Sequence, residues 1–213
     1  VIRFVFSKTG FTRYISHLDI NRSMQRIFTR AGVPIWYTQG FNPHPYMTFS
    51  AALSVGVCGE NEMMDIKLSE EMPFDEILER MNKASPDGIH FKKVYEATND
   101  FSEIEKALYT FKVAHQDVDD FEVFLAKDEI QVTKKTKRGE ALIDIKQETE
   151  IIGFDDDEGG RTYKIILPCG TEKNISATLL TTAFDSEIPA LSKHEIIQIS
   201  RIEFYGKDGK VFI

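Results

Sequence analysis

Arg13–Phe49 reads RYISHLDINRSMQRIFTRAGVPIWYTQGFNPHPYMTF and joins a well-marked helix to a stiff polar loop. Ser16 stands as an N-cap, with Asp19 three residues on as its capping-box partner and Ile15 and Ile20 at hydrophobic-staple spacing. Ile20, Met24, Ile27, Phe28 and Ala31 recur at three- and four-residue intervals, which predicts one buried helical face. Gly32 and Pro34 then stop the helix, as a C′ glycine and a following proline do. On the opposite face Arg22, Arg26 and Arg30 stand at i, i+4 and i+8. Like charges at that spacing oppose the helix by roughly 0.2–0.5 kcal/mol per pair. An anionic partner offsets that repulsion; a basic face paired with acids elsewhere in the fold is the structural alternative.

Before this stretch, Ile2, Phe4 and Phe6 alternate with Val1, Arg3 and Val5, predicting a strand with one buried face. After it come a small-residue strand around Thr48–Leu53 and a half-buried strand in which Met64, Ile66 and Leu68 alternate with Asp65 and Lys67. Phe74, Ile77, Leu78 and Met81 behind Pro73 predict a second amphipathic helix, and Ile89–Lys92 a fourth strand. Strand, helix, strand, strand, helix, strand is the split βαβ order of the ferredoxin-like fold. The second half repeats it loosely. Strand Tyr109–Val113, helix Val118–Leu125, a strand from Ile130, strand Tyr163–Leu167, helix Ser176–Phe184 and strand Ile196–Tyr205 follow one another. Segments Ala141–Ile145 and Ile151–Phe154, a basic hairpin tip at Lys134–Gly139 and an acidic turn at Asp155–Gly160 are additions to a minimal unit. The expected class is α+β: tandem ferredoxin-like (βαββαβ) units, antiparallel sheets with helices on one face, and a decorated second unit. Polarity rises and periodicity lapses near Thr98–Lys106, so the domains are expected at 1–98 and 107–213.

The chain has 213 residues, a net charge of −8 and 42% hydrophobic residues, the composition of an ordinary globular protein. The charge is uneven. Residues 1–50 carry six Lys/Arg against one acid, the remainder twenty against thirty-three. Cys58 and Cys169 lie far apart with no CxxC spacing, which gives no zinc or iron–sulfur signature and points to reduced thiols. No run of eighteen apolar residues and no leader-like segment is present, so no membrane partner and a cytoplasmic location are expected. The sequence starts at Val1 rather than Met, and an initiator lost or lying outside it is expected.

In Gly40-Phe41-Asn42-Pro43-His44-Pro45 two prolines around one residue push Asn42 and His44 toward extended conformations. A stiffened loop presenting Gln39, Asn42 and His44 loses little entropy when a ligand binds it. Its amides and imidazole suit base edges, ribose or phosphate, and Trp36, Tyr37, Phe41 and Tyr46 supply rings for stacking. The structural alternative is a corner in which Phe41 plugs the core and His44 is capped by backbone. Because the loop directly follows the basic helix, the two are expected to share a concave surface that includes the helix start at His17.

FSKTGFTRYISHLDINRSMQRIFTRAG (6–32) and YTQGFNPHPYMTFSAALSVGV (37–57) resemble the bacterial radical SAM-linked family, a domain of unknown function found free-standing or fused C-terminally to radical SAM proteins. The resemblance is strong over residues 3–70 and looser to Ile145. That family has a basic residue after the second proline where this chain has Tyr46, so no phosphate contact is carried over there. The resemblance implies association with radical SAM chemistry and no settled activity. Lacking a cluster-binding cysteine motif, this chain is not expected to be the radical enzyme.

Together these features predict an RNA-binding, non-catalytic accessory module that positions an RNA or ribonucleoprotein for a partner radical SAM protein. Its expected contacts are Lys8, Arg13, Arg22, Arg26, Arg30, Gln39, Asn42 and His44, with no cofactor and no metal. The alternatives are a metal-independent RNA-processing enzyme using His17 and His44, since imidazole titrates near neutrality, and a protein-interaction domain without nucleic-acid contact.

Overall fold

The computed structural model describes residues 1–136, 139–188 and 195–213. The chain is α+β, with mostly antiparallel strand pairing and four α-helices among the described residues. It divides into two compact units, Val1–Ile104 and Glu105–Ile213.

In the first unit, β1 (Ile2–Lys8) leads through a 3-10 turn (Gly10–Tyr14) to α1 (His17–Ala31). Then come β2 (Met47–Phe49), β3 (Val57–Ile66), α2 (Phe74–Ala84) and β4 (Ile89–Glu96). β1 lies between β3 and β4, antiparallel to both, and β2 pairs antiparallel with β3. Ile20, Met24, Ile27 and Phe28 of α1 and Ile77 and Met81 of α2 pack with Ile2, Phe4, Phe6, Met64, Ile66, Ile89 and Phe91 in one core. Both helices therefore cover the same face of the sheet. The ends of α1 follow the sequence. Ser16 Oγ accepts from the Asp19 amide at 3.2 Å and donates to its carboxylate at 2.7 Å, and Gly32 closes the helix at φ 64°. An N-cap of this kind is worth about 1 kcal/mol.

Three strand readings are corrected. Every residue of β1 is buried, not one face only. Arg3 sits directly across from Asp65 in the β1–β3 register and forks onto it, with Nε 2.7 Å from Oδ1 and Nη2 2.9 Å from Oδ2. A charged residue in the alternation therefore marks a buried ion pair, not a solvent face. β2 is confined to Met47–Phe49, and β3 starts at Val57, seven residues before the expected Met64. Gly59, Glu60, Asn61 and Glu62 are poor strand formers, and pairing with β1 overrides that preference.

The second unit contains β5 (Ile104–Ala114), α3 (Val118–Leu125), β6 (Gln131–Thr136), β7 (Gly139–Asp144), β8 (Glu150–Asp157), β9 (Gly160–Pro168), α4 (Ala177–Glu187) and β10 (Ile196–Gly206). Its strands run in the order β10-β5-β9-β8, with β5–β9 and β9–β8 antiparallel. β6 and β7 form a separate antiparallel hairpin between α3 and β8. The expected basic tip of that hairpin includes Lys137 and Arg138, which lie outside the described residues. Phe121 is the centre of the core, with rings of Tyr163 and Phe184 each 4.9 Å away. The acidic turn is the exposed tip of the β8–β9 hairpin. Asp155, Asp156 and Asp157 pair with Lys164, Arg161 and Lys112 at 2.6, 2.6 and 2.7 Å.

Candidate functional site

Burying the apolar face of α1 turns Arg22, Arg26 and Arg30 outward together. Arg22 lies 3.6 Å from Asp19 in an exposed i,i+3 pair, a contact worth roughly 0–1 kcal/mol. Arg30 donates Nη2 to the Ala84 carbonyl at 2.7 Å, satisfying a backbone acceptor at the end of α2. Arg26 has neither hydrogen bond nor ion pair among the described residues. The row is therefore only partly neutralised by its own chain.

The loop after α1 is zipped at its base. Trp36 N donates to Lys67 O at 2.7 Å, Tyr46 N to Trp36 O at 2.9 Å and Thr38 N to His44 O at 2.9 Å. These bonds leave residues 39–43 as a short tip, turned by Gly40 at φ 127°. His44 is held from two sides, since its amide donates to Thr38 Oγ1 at 3.1 Å and its Nδ1 lies 3.1 Å from both Thr38 Oγ1 and the Asn42 carbonyl. Nδ1 is thus engaged within the loop, which leaves Nε2 as the imidazole's remaining polar atom. Phe41 is fully exposed at the tip and does not plug the core.

Helix and loop flank an open groove of about 730 Å³. Arg22, Arg26 and Arg30, with Gln25 and Thr29 between them, form one wall; Tyr37, Asn42, Pro43, His44 and Pro45 form the other. Among the described residues no carboxylate lines it. Three guanidiniums facing an amide, an imidazole and a phenol can hold phosphate oxygens on one side and a base or sugar on the other.

Five of the eight expected contacts thus meet in one place: Arg22, Arg26, Arg30, Asn42 and His44. Gln39 is exposed at the loop tip but does not line the groove. Arg13 lies on the 3-10 turn, where its guanidinium covers the Tyr14 ring at 4.8 Å and Nη2 donates to the phenol at 2.7 Å. Lys8 needs correcting as a surface contact. It is only 2% exposed, and its ammonium donates to the Ile15 carbonyl at 3.0 Å. Gln25 and Thr29 were missed, although their spacing from Arg22 and Arg26 places them on the same helical face.

His17 does not share the groove with His44, which corrects the expected shared surface at the helix start. It lines a small separate crevice with Lys8, Glu62 and Phe49, its ring edge-on to Phe49 at 5.2 Å. The two histidines therefore line different hollows. Among the described residues no group of three or more His, Cys, Asp or Glu side chains is placed to hold a metal ion, and no helix is long and apolar enough to cross a membrane.

Comparison with known proteins adds a family but no chemistry. The model of DUF2344, described as an uncharacterized protein conserved in bacteria, matches residues 2–177, and the chain belongs to that family. No curated protein matches the chain.

Proposed function

We propose that this member of the DUF2344 family is an RNA-binding, non-catalytic accessory module whose binding surface is the groove between α1 and the GFNPHP loop. The observation that carries the reading is the groove itself, with no carboxylate among its described lining residues, an arginine row on one wall and a proline-stiffened polar and aromatic loop on the other. The two strand orders support a finer fold as well. β4-β1-β3 with β2 on β3, and β10-β5-β9-β8 with an inserted hairpin, fit two ferredoxin-like units, the second decorated. The resemblance of residues 3–70 to radical SAM-linked domains supports a radical SAM protein as the enzyme that receives the RNA.

The test is RNA affinity against salt for the chain and for its Arg22→Gln/Arg26→Gln/Arg30→Gln variant. Each phosphate contact to a single strand contributes about 0.7 to the slope of log K against log salt, so losing three flattens it by about 2. The fold should survive, because Gln is a good helix former and the like-charge repulsion disappears. Equal RNA binding by both proteins refutes the groove. Absence of RNA binding by either leaves a protein-interaction role.

A further inference from the structure

Resting on that reading, we infer that the groove takes a single strand, with three successive phosphates laid along Arg22, Arg26 and Arg30 and a base stacked on Tyr37 beside Asn42. The first reason is the pitch and hand of the row. Positions four residues apart rise about 6 Å along a helix and advance about 40° around it. The cations therefore follow a gently winding line, which a flexible strand can trace one phosphate per arginine. A duplex presents its phosphates on a stiff cylinder and keeps its base faces stacked inward.

The second reason is the opposite wall. Tyr37 is half exposed and lines the groove, and Asn42 lines it with no hydrogen bond from its side chain among the described residues. An aromatic face accepts any unstacked base, and a nearby amide can meet a base edge. The ring has no use against a closed duplex, whose bases are reached only edge-on through its grooves. The groove's volume of about 730 Å³ leaves room for an unstacked base with its sugar and phosphate. Phe41, fully exposed two residues from Pro43, offers a second ring for the neighbouring base.

Within the row the contacts are unequal. Arg26 is in the middle and has all its donors available, whereas Arg30 already spends one on Ala84 and Arg22 leans toward Asp19. Arg26 is therefore the anchor, and the footprint is short, about four nucleotides for three internal phosphates.

The experiment measures binding of the full chain to labelled single-stranded RNAs of two, four and eight nucleotides, to a blunt duplex of the eight-nucleotide sequence, and to ATP. Fluorescence of Trp36 supplies a label-free readout, because the chain has one tryptophan and it adjoins Tyr37. Affinity is expected to climb from two to four nucleotides, then to level, with the duplex at least tenfold weaker. Tyr37→Ala should weaken the four-nucleotide strand roughly tenfold, Tyr37→Phe should restore it, and Arg26→Gln should flatten the salt slope by about 0.7. Duplex binding as tight as single strand, or Tyr37→Ala binding unchanged, overturns the single-strand assignment while leaving RNA binding intact. ATP binding as tight as the four-nucleotide strand overturns the extended footprint. No binding of any nucleic acid overturns the RNA reading itself.

Discussion

Replacing Arg3 by Met should be among the most damaging single changes available in the first unit. The guanidinium is fully buried, forks onto both oxygens of Asp65, donates Nη2 to the Asn99 carbonyl at 2.8 Å and Nη1 to the Asn99 side chain, and lies 4.2 Å from the centre of the Phe101 ring. One side chain thus ties β1, β3 and the segment after β4. Met fills similar volume but leaves the Asp65 carboxylate, 13% exposed, without its counter-ion. Breaking a buried pair from one side costs roughly 3–5 kcal/mol, about a fifth or more of an ordinary domain's stability. Removing both charges with Arg3→Met/Asp65→Leu should recover most of that loss, because the ion pair's attraction is largely cancelled by its desolvation. Urea unfolding followed by Trp36 fluorescence reports on this unit alone, and at a slope of about 2 kcal/mol per molar the single variant should lose roughly 2 M in midpoint. A midpoint loss under about 0.5 M for Arg3→Met, or a double variant no better than the single one, would refute this account.

Three further outcomes are expected. Gly160 has φ 148°, and a Cβ there would lie 1.9 Å from the Val113 carbonyl, so Gly160→Ala should cost at least about 1–3 kcal/mol in the second unit, read as a lower melting temperature. The Asp156 and Asp157 carboxyls are held below the usual 3.8, first by hydrogen bonds from Arg161 and Lys112, and Asp144 by the backbone N–H groups of Lys146 and Ile130. Their contribution is complete above the unfolded pKa of about 3.9 and is lost as pH falls through the lowered folded values, so stability should hold to about pH 4 and drop below it; NMR titrations at or above 3.8 for these groups would contradict this. Cys58 and Cys169 are both buried and free, so a thiol reagent should modify neither in the native chain and both after unfolding.

What the sequence made legible was local. The limits of α1 follow from Ser16 and Gly32, its buried face from Ile20, Met24, Ile27 and Phe28, and its cationic face from a four-residue repeat, all within one short window. What it hid depended on distant partners. Arg3 looks like a solvent-facing member of an alternating strand and Lys8 like a surface cation until Asp65, 62 residues on from Arg3, and the Ile15 carbonyl are brought to them. Burial of a charge is a property of the pair, and the local pattern holds one member.

The misplaced end of the groove has a physical reason that was available from chain length alone. The loop is tied at Trp36 and Tyr46, so its tip at Gly40 stands four residues from its base and reaches about 13 Å at most. From Arg30 back to Arg22 is eight residues of helix, about 12 Å along the axis, whereas His17 lies about 7 Å further still. A loop rooted just past the C-terminus of α1 can therefore face all three arginines but stops short of the helix start. The same constraint puts His44 with the cations and leaves His17 to Phe49 and the buried Lys8. The length of the loop thus sets the make-up of the groove: among the described residues it gathers charge, amide and ring on one surface together with one imidazole, His44.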